Sequence, residues 1–151
     1  MYLFLFDYVI KVINEIFSEI DYNETDLFER IRQIGLAKLR AYKKHPQIFD
    51  FLNDIVKAGE LTNEIDGFVQ ELISNSLERC YQNIDFSKFR KDLNLEKITN
   101  IINWTMLCFS EEQISKMGSV QKISIDNFNE WEEYANILKR SFYKKEYICD
   151  D

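Results

Sequence analysis

Residues 94–117, NLEKITNIINWTMLCFSEEQISKM, are the stretch around which the rest of this sequence is organised. Asn94 is a good N-cap, because its side-chain oxygen can accept a hydrogen bond from an unpaired backbone N–H of the first helical turn. Apolar residues follow at the spacing of one helical stripe. The stripe contains Ile98, Ile101, Ile102, Thr105 (through its methyl group), Cys108 and Phe109.

Trp104, Met106 and Leu107 lie off this stripe, so the middle of the helix is apolar almost all round. A helix of this kind needs to bury two faces. One face can pack on its own domain. The second face predicts either a partner helix from another copy of the chain or a central position wrapped by the same chain, and both arrangements fit the pattern.

Length and composition predict one all-α domain. The chain has 151 residues, enough to bury a sizeable core in a single domain. Hydrophobic residues make up 46% and charged residues 30%, a balance that excludes a disordered protein. There are only 4 glycines and 1 proline, and no run alternates apolar with polar residues as a half-buried strand does. We expect a bundle of about six helices over residues 1–151.

The first helix is predicted over residues 2–20, where apolar side chains follow the i, i+3, i+4 spacing. No capping residue precedes this pattern, which is already running at Tyr2. We therefore expect the chain to begin inside an element of a longer protein. The alternative is a native start at Met1 with a frayed first turn.

Capping and breaking residues separate the next helices. Asp26, with Glu29 three residues later, has the spacing of a capping box and predicts the start of the second helix. Pro46 ends that helix and suits the first turn of a short third helix, which Gly59 is expected to terminate. Thr62 is the expected cap of the long fourth helix.

Three segments flank the last two helices. In the charged connection DFSKFRKDL, Phe86 and Phe89 are expected to tuck back onto the core. Residues 118–125 predict a mobile loop, and Asp126 is expected to cap the last helix. We expect residues 146–151 to be disordered.

The charge of the chain excludes one class of function. The net charge is -7 and the pI is about 4.9. Binding to nucleic acid needs a concentrated basic surface. The sequence therefore argues against DNA binding by these residues themselves.

The three cysteines and the apolar N-terminus bear on localisation. Cys80 and Cys108 lie on apolar stripes and are expected to be small buried hydrophobes, while Cys149 lies near the end. No disulfide framework is indicated, so a reducing cytoplasm is predicted. Residues 1–13 lack the basic region and cleavage site of a signal peptide, and they are too short and too charged to span a membrane.

Catalytic and metal-binding motifs are missing from the sequence. His45 is the single histidine, so neither a Glu-x-x-His di-metal site nor a Ser–His–Asp triad can be assembled with confidence. HExxH, CxxC and GxxxxGK[ST] motifs do not occur. We therefore expect no cofactor, no metal and no enzymatic activity.

The order of these elements, together with three stretches, resembles the regulatory domain of TetR/AcrR-type transcriptional regulators. The stretches are YLFLFDYVIKVI at residues 2–13, RAYKKHPQIFDFL at 40–52 and NIINWTMLCFSEE at 100–112. The resemblance implies an effector-sensing and dimerisation domain of a repressor that binds a small apolar or amphipathic ligand. In that family a helix-turn-helix domain precedes the regulatory domain and binds operator DNA. These helices are absent here, so operator DNA is expected as a partner only through a missing N-terminal domain.

Large aromatic side chains on inward stripes are mostly core, but they can also leave an apolar pocket with a few polar tips. We expect such a pocket within the helices of residues 1–84, with Trp104 closing one side. The candidate ligand-binding residues are Tyr8, Phe49, Leu52, Phe68, Leu72, Tyr81 and Trp104. Asp7 or Asp50 would favour cationic ligands, unless both belong to the solvated surface.

A two-fold homodimer is the expected assembly, with the last two helices of each copy forming a four-helix bundle. The predicted interface residues are Ile98, Ile101, Ile102, Thr105, Phe109, Trp131, Tyr134, Leu138 and Phe142. The alternative function is a free-standing helical homodimeric interaction protein without a ligand. An internal cavity with polar tips would favour the sensor, and a solid core would favour the alternative.

Overall fold

Six α-helices make up most of the chain in a computed structural model that describes residues 2–58 and 63–149. They are α1 (Tyr2–Ser18), α2 (Leu27–Lys44), α3 (Pro46–Ala58), α4 (Asn63–Tyr81), α5 (Leu95–Met117) and α6 (Ile125–Phe142). Short 3-10 turns occur at Phe86–Lys88, Val120–Lys122 and Lys145–Tyr147. No strand runs through these two ranges, so the predicted all-α bundle of about six helices is confirmed. None of the helices described is both long and apolar enough to cross a membrane.

The helix at the centre of the bundle is α2, which contacts α1, α3, α4 and α6. Its residues Leu27, Ile31 and Ala37 are buried. The apolar helix α5 packs against α6 and against the turn at Val120–Lys122. The central position is therefore occupied by α2, and α5 keeps one apolar side exposed.

Arg30 of α2 is fully buried and holds the end of α4 in place. Its guanidinium donates hydrogen bonds to the backbone carbonyl oxygens of Gln82 at 2.7 Å, Cys80 at 3.3 Å and Glu24 at 2.8 Å. The last carbonyls of a helix lack partners within it, and the helix dipole favours a cation at that end. Arg30 therefore caps the C-terminus of α4.

Two of the predicted helix starts are confirmed. The side chain of Asn94 accepts a hydrogen bond from the Lys97 N–H at 3.1 Å, and that of Asp26 accepts one from the Glu29 N–H at 3.0 Å. The break at Pro46 is also confirmed, since α3 begins at this residue. The expected stop at Gly59 and cap at Thr62 lie outside the described residues.

The predicted cap of the last helix is wrong by two residues. Ser124 is the N-cap of α6, and its Oγ accepts a hydrogen bond from the Asp126 N–H at 3.3 Å. The Oδ1 atom of Asn127 accepts in return from the Ser124 N–H at 3.0 Å. This reciprocal pair satisfies two backbone donors, and Asp126 becomes a first-turn residue where the helix dipole favours negative charge.

The charged connection before α5 is joined to the end of α6. Phe89 is buried, as expected, whereas Phe86 is partly exposed. Two antiparallel backbone hydrogen bonds of 2.9 Å link the segments, from the Arg90 N–H to the Phe142 carbonyl and from Lys144 to Lys88.

The C-terminal tail is more ordered than predicted. The expected disorder over residues 146–151 is wrong for its first part, because Lys145–Tyr147 forms a 3-10 turn. Ile148 then packs against the core cluster that contains Tyr143. Residues 150–151 lie outside the described range.

The expected mobile loop between α5 and α6 is anchored to α3. Asp50 accepts hydrogen bonds from the Val120 N–H at 2.8 Å and from the Ser119 hydroxyl at 2.7 Å. Val120 is buried against Tyr42 in a small core cluster. Asp50 therefore holds this loop, which leaves its carboxylate engaged rather than available to a cationic ligand.

The cysteines divide into one buried and two exposed thiols. Cys80 is buried, as expected, and burial raises the pKa of its thiol to about 12. Cys108 was expected to be buried, but it lies on the exposed side of α5. The prediction fails there because α5 is covered on one face only.

Candidate functional site

A cavity of about 390 Å³, partly open to solvent, lies between α2 and the helices that pack around it. All six helices contribute to its wall, from Ile13 and Ile16 of α1 to Phe128 and Trp131 of α6. Small-molecule sites usually have volumes of about 300–1,000 Å³. The bundle therefore leaves room for a small organic molecule, in contrast to the close packing of most protein cores.

The wall of the cavity is predominantly apolar. Its aliphatic and aromatic members include Ile31, Ile34, Phe49, Leu52, Leu72 and Leu77. Gly35 brings α2 close to α6, since a Cβ atom there would lie 2.9 Å from Cε2 of Phe128. Apolar walls of this kind bind ligands by removing their surface from water.

A pair of buried amides interrupts the apolar wall. Asn127 and Gln113 are both nine-tenths or more buried, and Nδ2 of Asn127 donates a hydrogen bond to Oε1 of Gln113 at 2.6 Å. The orientation follows from the capping bond, because Oδ1 of Asn127 is held by the N–H of Ser124. Nε2 of Gln113 then points away from Asn127 and donates to no residue within the described ranges. Its N–H groups are therefore available to a further acceptor.

Lys38 brings a charge to the cavity wall. It lies on α2, one turn before Tyr42, and its Nζ is 5.6 Å from the centroid of the Tyr42 ring. Tyr42 is buried, and it also lines the cavity. The wall thus combines a large apolar surface with a small number of polar groups, as binding sites for amphipathic molecules do.

Three of the predicted ligand-binding residues, Phe49, Leu52 and Leu72, line this cavity. Phe68 lines a separate, smaller cavity of about 150 Å³, together with Leu72. The expected location within the first four helices is therefore too narrow, because α5 and α6 supply part of the wall.

The remaining predicted ligand-binding residues lie elsewhere. The hydroxyl of Tyr81 donates to Oδ1 of Asn103 at 2.7 Å, outside the cavity. Trp104 does not close one side, since 63% of its surface is exposed. Asp7 is exposed and is not part of the wall either.

Tyr8 belongs to a hydrogen-bonded row with the single histidine. Its hydroxyl lies 2.7 Å from Nδ1 of His45, and Nε2 of His45 lies 3.1 Å from Oε2 of Glu15. The hydrogen bond with His45, supported by Lys44, lowers the pKa of the Glu15 carboxyl. The row joins α1 to the junction of α2 and α3, and it lies outside the cavity wall.

The predicted dimer interface requires a correction. Ile98, Ile102 and Trp131 are buried in the core of the single chain and are not available to a partner. Phe109, Leu138 and Phe142 are partly buried against the same core. Thr105 is half-buried, and its hydroxyl donates to the Ile101 carbonyl. Of the predicted residues only Ile101 and Tyr134 are exposed.

An exposed apolar face nevertheless covers both helices. Its α5 members are Ile101, Trp104 and Cys108, spaced i, i+3 and i+7, and its α6 members are Tyr134 and Ile137. The two helices pack against each other, with the Phe109 and Tyr134 ring centroids 5.6 Å apart. We refer to these five residues as the α5–α6 face.

The residues that sequence reasoning missed had a visible signal. Lys38 lies on the inward stripe of α2 between Ile34 and Tyr42, and Gln113 continues the stripe of Met106 and Phe109. A polar residue in an otherwise apolar stripe has to find a partner once it is buried. The interruption of the apolar pattern therefore identifies Lys38 and Gln113 as candidates for a polar role in the site.

Comparisons with family models, with curated proteins and with solved structures found no match to this chain. Within the described residues, no group of three His, Cys, Asp or Glu side chains is placed to hold a metal ion. The functional interpretation therefore depends on the cavity and on the exposed face.

Proposed function

We propose that this chain is the effector-sensing and dimerisation domain of a TetR/AcrR-type transcriptional repressor. The observation that carries the proposal is the cavity of about 390 Å³, whose apolar wall contains the Gln113–Asn127 amide pair. Concave apolar pockets of this size with a few polar groups are the usual form of small-molecule sites, which supports a sensing function. The order of the helices and the resemblance of the sequence support the same class.

The geometry suggests how an effector would act. Ile13, Ile16 and Phe17 of α1 line the cavity, so a bound molecule would contact this helix directly. In the family that the chain resembles, the corresponding helix leads to the DNA-binding domain. An effector that binds one position of α1 more tightly would shift the balance between two arrangements, and only by its differential affinity for them.

Thermal shift measurements with a panel of small lipophilic compounds test the sensing function. Leu77→Trp places a large ring in the cavity and is expected to abolish the shift that a binding compound causes in the wild type. Trp104→Ala is the matched control, because Trp104 is exposed and does not line the cavity. If no compound raises the melting temperature, or if Leu77→Trp responds like the wild type, the cavity is not a ligand site.

The α5–α6 face supports a second candidate, a helical homodimeric interaction protein without a ligand. Trp104 and Ile137 are each 63% exposed and belong to a group of exposed apolar side chains. A group of this kind indicates an interaction surface, whereas single exposed apolar residues do not. A two-fold axis would place this face against its own copy and form a four-helix bundle. A dimer that binds nothing in the thermal shift panel would favour this candidate over the sensor.

A further inference from the structure

The wall of the cavity contains a positive charge and, among the residues that the structure describes, no aspartate or glutamate. This contrasts with the whole chain, which has 26 acidic residues and only 19 basic ones. Lys38 is the one charged side chain among the described residues of the wall. The sign of the cavity is thus opposite to that of the whole protein, whose net charge is -7.

Lys38 differs from its basic neighbours on α2. Arg32, Arg40 and Lys44 each pair with a glutamate, whereas Lys38 makes no ion pair with any residue in the described ranges. The Lys38 residue is partly buried, and its Nζ lies 5.6 Å from the centroid of the Tyr42 ring. A cation without a carboxylate partner is a group with which an anionic ligand can pair.

The second polar feature of the wall is also a donor. Nε2 of Gln113 has no acceptor within the described chain, while its Oε1 is already engaged by Asn127. Gln113 is 5% exposed as a whole residue, and its side chain contributes to the wall of the cavity. Lys38 and the Gln113 amide therefore both offer hydrogen-bond donors to an acceptor in the cavity, and Lys38 is cationic.

We propose that the cavity binds a carboxylic acid with an apolar tail or ring system, and that the carboxylate pairs with Lys38. This inference rests on the proposed sensing function and assigns the chemical class of the effector. The apolar wall takes the tail, and the ammonium group selects the anion over neutral or cationic molecules of the same shape. The inference replaces the expectation that Asp7 or Asp50 would favour cationic ligands.

Isothermal titration with three matched probes tests the proposal: decanoate, decanol and decylammonium at pH 7.5, each below its micelle-forming concentration. The probes share one tail and differ in the charge of the head group. Decanoate is expected to bind about tenfold more tightly than decanol, as for one charge-assisted hydrogen bond, and decylammonium most weakly.

Lys38→Met keeps the length and the apolar stem of the side chain but removes the charge. It is expected to weaken decanoate about tenfold and to leave decanol unchanged. Lys43→Met is the matched control, since Lys43 is exposed on the same helix, does not line the cavity and carries the same charge. This variant is expected to bind all three probes as the wild type does.

The outcomes separate the two proposals. Decanol binding as tightly as decanoate, or decylammonium binding most tightly, overturns the anionic ligand while leaving the sensing function in place. Equal decanoate affinities for Lys38→Met and wild type overturn the pairing with Lys38. If no probe binds and no compound of the thermal shift panel raises the melting temperature, the ligand site itself is rejected.

Discussion

Replacing Trp104 by glutamate tests whether the α5–α6 face is a dimer interface. The indole is 63% exposed in the single chain, and Glu is at least as good a helix former as Trp. The stability of the monomer should therefore change by less than about 0.5 kcal/mol, as for most surface substitutions. The dimer should respond quite differently.

The expected loss of dimer affinity follows from symmetry. A tryptophan at the centre of an interface contributes about 2 kcal/mol or more when it is truncated. A two-fold interface contains the residue twice, so the loss is about 4 kcal/mol. Since every 1.4 kcal/mol is tenfold, the dimer Kd should rise by about a thousandfold.

Ile102→Glu is the matched comparison on the same helix. Ile102 is 0% exposed and lies in the main core cluster, so a carboxylate there has no route to water. Burying a polar group without a partner is among the mutations that destabilise by about 4 kcal/mol or more. This variant should therefore unfold or aggregate whether or not the chain dimerises.

Sedimentation velocity over a range of micromolar concentrations, combined with thermal melts, separates these effects. The expected pattern is a wild-type dimer, a folded Trp104→Glu monomer and a poorly folded Ile102→Glu chain. A wild type that is monomeric at tens of micromolar would refute the dimer. An unchanged Kd for Trp104→Glu would show that the interface lies elsewhere.

The exposure of the thiols, the Asp26 cap and the net charge of the chain each allow a further test. Cys108 and Cys149 are exposed and should react rapidly with a maleimide at pH 7.5, whereas Cys80 is buried, has its pKa raised to about 12 and should stay unmodified. The labelling of Cys108 alone should become slower as dimers form. Rapid labelling of all three thiols in the native protein would contradict this. Burial raises the pKa of the Asp26 carboxyl, but hydrogen bonds from the Glu29 N–H and Lys88 outweigh it and leave the pKa lowered, so its contribution is present above about pH 4 and is lost as the pH falls further. Asp26→Ala should thus lower the free energy of unfolding in urea by about 1 kcal/mol at pH 7, and by less at pH 3; an equal loss at both values would contradict the assignment. The purified chain should show no sequence-specific, salt-sensitive shift of DNA in a gel, because its net charge is -7 and phosphate contacts need a basic surface.

Local signals explain what could be predicted of the helices. The period of apolar residues reflects the geometry of a single helix, and the caps at Asn94 and Asp26 form hydrogen bonds three residues away. The error at Asp126 arose because Ser124 and Asp126 are both good caps. The side chain of Asn127 decided between them by completing the capping box.

The site was only partly predictable for a different reason. Phe49, Leu52 and Leu72 were expected near a ligand because they are apolar and lie on inward stripes. Whether such residues leave a void or fill it depends on the distances between helices that are far apart in sequence. Lys38 and Gln113 interrupted two stripes visibly, but their convergence on one cavity required the packing of α2 against α5 and α6.

The acidic charge, the all-α class, most helix boundaries and the large apolar surface of residues 94–117 can all be read from the residues themselves. These properties depend on composition and on neighbours within a few residues. The central position of α2, the burial of Ile102 beside an exposed Trp104, and the cavity between the helices emerge only when the helices pack together. Ile102 and Trp104 are both apolar, and whether each is buried depends on the elements that pack against it.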